Sequence, residues 1–178
     1  VSGDESEDSP SAKRMAREAL LRHLTSILGN DEVAAHFMLL HLLSRVHARA
    51  DNVAVGKLSL NLTCISKEIA SVGTKLKLIP GVLQLAEGSH LMFDETCLET
   101  GTLNSAGVEN ARLLKALTEL QKKMEMMADV QMLISSEGKS NILPADIIMS
   151  FQPSSGGFSD VVPAEILEAW RWYLATVR

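Results

Sequence analysis

The run Gly81–Thr96, G-V-L-Q-L-A-E-G-S-H-L-M-F-D-E-T, decides how this chain is read. An apolar helical stretch reaches a Gly88-Ser89 stop, and a strand (His90, Leu91, Met92, Phe93) then runs into Asp94-Glu95. Two adjacent carboxylates at the end of an apolar strand are suited to holding Mg²⁺ and positioning an attacking water in nucleotide hydrolysis. Such a pair works beside a phosphate cradle, yet the pattern G-x-x-x-x-G-K-[ST] occurs nowhere in the chain. The acidic half of a nucleotide site is present without its phosphate half.

Working outward, the periodicity alternates between helix and strand. Leu20, Leu21, Leu24, Ile27 and Leu28 mark a helix over 12–28, ended by Gly29-Asn30. Asn30 or Asp31 caps a second helix expected over 32–49. It is apolar on most sides (Val33, Phe37, Leu39, Leu43), which predicts burial of more than one face. Lys57–Thr63 alternates as a strand does, a helix returns over 107–123, and Asp129–Ser135 is a second good strand. Pro163 opens a last helix with Ile166, Trp170, Tyr173 and Val177 on one stripe. Strands separated by helices of this length predict an α/β fold, a three-layer sandwich. Residues 1–11 carry Asp4, Glu5, Glu7 and Asp8 with no basic residue and read as a flexible acidic arm, leaving 12–178 as one domain. The junctions near 71–78, 122–126 and 154–159 are abrupt, so spacing across them carries little weight.

Composition narrows the function classes. The net charge of -5 argues against a domain that grips DNA or RNA through bulk charge, because phosphate neutralisation needs clustered Lys and Arg. No apolar run is long enough to span a bilayer. Cys64 and Cys97 are the only cysteines and lack Cys-x-x-Cys spacing, so reduced thiols of the cytosol or nucleus are expected. His36, His41 and His47 are not spaced i,i+4 and share no helical metal face. No catalytic set, metal site or cofactor site is expected. Trp170 and Tyr173 read as core, whereas Trp172 points elsewhere and is a candidate partner-binding anchor.

Several segments together carry a family resemblance: L-H-L-L-S-R-V-H-A-R from Leu40, G-K-L-S-L-N-L (56–62), P-G-V-L-Q-L (80–85), D-E-T-C-L-E-T-G-T-L (94–103), S-E-G-K-S (136–140) and L-P-A-D (143–146). The chain resembles the minichromosome maintenance (MCM) complex-binding protein family, including its plant members. Those proteins are longer, so the resemblance places this chain in their C-terminal half. More distantly, the same residues are similar to the AAA+ motor of the MCM helicase subunits. Lys57–Thr63 falls at the phosphate-loop strand, Asp94-Glu95 at Walker B, and Val130–Ser135 at the sensor strand. Three departures bear on the chemistry. Cys64, Ile65, Ser66, Lys67 and Glu68 follow the first strand without a glycine. Ser150 stands where the family's trans-acting arginine would be, and Ser135-Ser136-Glu137 where an Asn would orient water.

The resemblance therefore implies a degenerate AAA+-like domain lacking the phosphate loop, with Asp94 and Glu95 as a vestigial Walker B pair. It implies a non-enzymatic nuclear protein that binds MCM helicase subunits, without direct nucleic-acid or membrane contact. In that role it would regulate assembly or unloading of the replicative helicase in DNA replication and sister-chromatid cohesion. The alternative from a different class is an AAA+ ATPase with a non-standard nucleotide site.

Overall fold

The computed structural model describes residues 10–51, 53–65, 88–99, 101–123, 126–154 and 163–177. Helix α1 (Pro10–Ile27) takes in Pro10 and Ser11, the last residues of the stretch expected as an arm; residues 1–9 lie outside the described residues. Proline suits this first position because its missing N–H would have no helical partner there. Gly29 and Asn30 take positive φ (64° and 62°), and the Asn30 N–H returns to the Thr25 carbonyl at 2.8 Å. That left-handed reversal satisfies an orphan carbonyl and stops the helix. Helix α2 (Glu32–Leu43) is capped by Asp31, whose carboxylate accepts from the Ala34 N–H at 2.9 Å.

The chain divides into two compact units, one formed by 1–43 with 152–178 and the other by 44–151. In the first, α1 and α2 pack with α4 (Ala164–Val177) around Leu20, Leu39, Trp170 and Tyr173. The His23 ring lies 4.6 Å from that of Trp170, and burial lowers the His23 pKa. One expectation is corrected here, and the core reading of Trp170 and Tyr173 is met. Helix α2 buries Ala34, Ala35, Leu39 and His41 but leaves Val33 and Leu40 60% and 53% exposed, since its packing partners within this unit are α1 and α4. On α4 the buried part of the stripe is Trp170 and Tyr173, with Ile166 and Val177 exposed.

In the second unit, four parallel strands form a sheet in the order β4-β7-β3-β8. They are β3 (Leu60–Thr63), β4 (Ser89–Asp94), β7 (Val130–Ser135) and β8 (Ile147–Ser150). Leu91, Val130, Met132 and Ile134 bury one face against Leu117 of α3 (Ser105–Leu120) and Leu143. Leu60 and Leu62 on one face of β3 and Asn61 and Thr63 on the other are all buried, so this strand is covered on both faces, as parallel strands are. The helix expected over 81–87 and residues 66–80 lie outside the described residues.

The helix expected to reach Arg49 ends at Leu43 instead. Ser44 Oγ donates to Gln131 Oε1 (3.1 Å), the Val46 N–H donates to Asp129 Oδ1 (3.0 Å), and the His47 N–H donates to the Val55 carbonyl (2.9 Å). Those tertiary partners outbid helical propensity, and Ala48–Ala50 (β1) pairs antiparallel with Val53–Val55 (β2). Gly56 follows β2 at φ +96°, where an added Cβ would lie 2.6 Å from the Arg45 carbonyl oxygen. Gly56→Ala is expected to cost about 1–3 kcal/mol, read as a lower urea midpoint at unchanged slope. A wild-type midpoint would contradict this geometry. The helix expected over 107–123 ends at Leu120, and a second small hairpin pairs β5 (Lys122–Lys123) with β6 (Met126–Met127).

Candidate functional site

Because the four strands are parallel, their carboxyl ends share one edge of the sheet, the edge where α/β proteins place ligands. Asp94, Ser135, Ser150 and Cys64 stand there, at or just past the ends of β4, β7, β8 and β3. Sequence positions far apart are thus brought to one place. Asp94 and Ser135 touch directly: Ser135 Oγ donates to Asp94 Oδ1 at 3.1 Å.

Asp94 is already engaged by its neighbours. Its Oδ1 also accepts from the Thr96 N–H (3.0 Å) and Thr96 Oγ1 (2.7 Å), while Oδ2 accepts from Cys97 Sγ (3.3 Å). It caps the 3₁₀ turn Glu95–Cys97. Burial alone would raise its pKa, but the donors from Thr96, Cys97 and Ser135 outweigh burial and hold it below the ordinary carboxylate value. Glu95 is held by Ser140, whose hydroxyl donates to Oε1 and accepts from the Leu143 N–H at 3.0 Å. The two carboxylates therefore fix the turn after β4 onto the segment after β7. Among the described residues no group of three or more His, Cys, Asp or Glu is placed to hold a metal ion.

The chain leaving β3 also folds inward. Cys64 has φ 64°, and its N–H donates to the Glu137 carbonyl (3.0 Å). The next N–H, of Ile65, donates to the Ser136 carbonyl (3.1 Å). A phosphate cradle points successive N–H groups at an anion; here they point at carbonyls. Cys64 Sγ lies 3.3 Å from Ser150 Oγ, so the serine at the arginine position meets the first residue after β3. Lys67 lies outside the described residues. Trp172 is half-buried on α4, packed against the Leu20–Trp170 cluster.

Several residues of this region carry little or no sequence signal. Asn61 is fully buried in β3 and donates to Ser136 Oγ at 2.9 Å. A polar residue inside an apolar strand is the one hint it gives. The Ser140–Glu95 pair is separated by 45 positions and has no hint at all.

A family model described as Mini-chromosome maintenance replisome factor matches residues 2–77 and 73–178. The Mini-chromosome maintenance complex-binding protein of Arabidopsis thaliana is 49% identical over 214 aligned residues, covering 96% of this chain and 36% of that protein. The aligned span exceeds the chain's own 178 residues, so that relative carries additional residues inside the match. Proteins of the same name from Salmo salar (34% identical; 77% of this chain, 28% of that protein) and Rattus norvegicus (33%; 91% and 33%) are also similar. The chain spans about a third of the length of these curated relatives. No solved structure matches it. With the family model matched along nearly all of its residues, the chain belongs to the Mini-chromosome maintenance replisome factor family.

Proposed function

We propose that the chain is a non-catalytic binding module, a degenerate AAA+-like domain that associates with MCM helicase subunits. The observation that carries the non-catalytic part is the closed carboxyl edge. The first two N–H groups after β3, those of Cys64 and Ile65, are spent on the Glu137 and Ser136 carbonyls, and Asp94 accepts from its own neighbours. Supporting the AAA+-like frame, the strands compared with the phosphate-loop, Walker B and sensor strands lie in one parallel sheet with their carboxyl ends together. Asp94 and Glu95 then act as a vestigial pair that caps a turn. Relatives named for binding the MCM complex support the partner. A domain framed like a helicase subunit can occupy a subunit's place in a heterologous interface. On this reading the protein works in the nucleus, regulating assembly or unloading of the replicative helicase in replication and sister-chromatid cohesion. Trp172 supplies one contact.

Titration calorimetry tests the catalytic half of this reading. ATP with Mg²⁺ at millimolar concentration should give no binding heat, and micromolar affinity would revive the ATPase alternative. Size-exclusion chromatography with purified MCM subunits tests the partner. Co-elution is expected, weakened about tenfold or more by Trp172→Ala if its fold is kept; separate peaks with every subunit would end the proposal.

A further inference from the structure

Among the described strands, β8 is an edge of the sheet. The Ile147 N–H donates to the Ser59 carbonyl and the Phe151 N–H to the Thr63 carbonyl, at 3.1 and 3.0 Å. Strand alternation then leaves the N–H groups of Ile148 and Ser150 on the outer side, where no described strand pairs with them. On the face bearing Ile148 a recess of about 160 Å³ opens between Asn61, Leu143, Pro144, Ala145 and Ile148, with Lys139 at its rim. That volume is close to the ~150 Å³ of a cavity that admits a benzene ring, room for one aliphatic side chain. Ile148 is 46% exposed, an apolar edge residue offered to solvent. Lys139 is exposed and has no ion-pair partner among the described residues.

We propose that the β8 edge and this recess form a docking site for an extended segment of a partner protein, one carrying an aliphatic side chain next to a carboxylate. The segment adds a strand outside β8, using the outward N–H groups, and seats its aliphatic side chain in the recess. Its carboxylate meets Lys139 at the rim, which sets register and specificity. A second copy pairing through its own β8 edge does not supply that chemistry. The β8 sequence I-I-M-S holds no carboxylate, and the adjoining Asp146 is engaged by Lys57 at 2.7 Å. The inference does not depend on which protein the partner is, or on the fate of the nucleotide site.

The test is selection of a phage-displayed library of random octapeptides on the immobilised 178-residue chain, followed by fluorescence anisotropy with the enriched peptides. Enrichment of an aliphatic residue within two positions of Asp or Glu is expected. Lys139→Glu should weaken those peptides about tenfold, and replacing the peptide carboxylate by Lys should restore binding to that variant. Ile148→Ala should weaken them independently. Failure to enrich that pattern would overturn the proposal, as would enriched peptides indifferent to both substitutions. A dimer in sedimentation that Ile148→Lys dissociates would assign the edge to a second copy and overturn it equally.

Discussion

Replacing Gln121 with leucine is expected to cost the 44–151 unit about 3–5 kcal/mol, the largest effect of any single polar substitution argued for this chain. Gln121 is 2% exposed and follows α3 in the left-handed conformation, φ 51°. Its side-chain amide pairs with both backbone groups of Val130: Nε2 donates to the carbonyl and Oε1 accepts from the N–H, each at 2.7 Å. The side chain thus replaces a missing strand at the first residue of β7. Its own carbonyl accepts from the Ala128 N–H (2.8 Å) and from Arg49 Nη2 (3.1 Å), tying helix, hairpin and sheet at one residue. Leucine fills the volume but leaves two buried backbone groups unpaired, at roughly 1–3 kcal/mol each. A small series separates the clamp from the backbone. Gln121→Ala and Gln121→Gly both lose the amide, but glycine is spared the left-handed strain and should be about 1 kcal/mol the more stable. Urea unfolding reads all three. An alanine variant within about 0.5 kcal/mol of wild type would show that the clamp contributes nothing.

The contrast between legible and illegible parts has a physical basis. The strand ending at Asp94 can be read because Leu91, Met92 and Phe93 run into a polar pair. The stop at Gly29-Asn30 can be read because those residues favour the positive φ they adopt. Local signals of that kind survive folding. The hairpin Ala48–Val55 could not be read, because Arg45 to Arg49 continues a helical pattern that only contacts from Asp129, Gln131 and Val55 overrule. Gln121 looks like the next polar residue of a helix, and its role exists only once Val130 arrives beside it. The missing glycines after Thr63 were visible, but not the use that the following N–H groups find on Ser136 and Glu137. That use depends on β3 and β7 being neighbours, and adjacency in a parallel sheet is written in no local pattern.

Asp146 should make stability fall in acid, and its removal should flatten that fall. Lys57 Nζ donates to its two oxygens at 2.7 and 2.8 Å, and Ser59 donates to Oδ2 through its N–H (2.8 Å) and hydroxyl (2.7 Å). The Asp146 N–H returns to Ser59 Oγ at 2.9 Å, so this cluster fixes the start of β8 against the start of β3. Burial raises the Asp146 pKa. The hydrogen bonds from Lys57 and Ser59, with the Lys57 charge, outweigh burial and hold it below the ordinary carboxylate value. A folded pKa below the unfolded one means that the unfolded chain binds the proton more tightly. The stabilisation is therefore complete above the unfolded value and lost as pH falls through it toward the folded one. Asp94, lowered in the same sense, adds to the slope. Asp146→Asn can keep only one of these contacts: with its oxygen toward Ser59 its NH2 faces Lys57, whose side chain is only 13% exposed and loses its counter-charge. A loss of about 2–3 kcal/mol is expected near neutral pH. Urea midpoints of both proteins, followed from about pH 6 to about pH 3, should converge as the wild-type carboxylate protonates. A gap that stays constant over that range would mean that geometry, and not the ionised carboxylate, holds the strands in register.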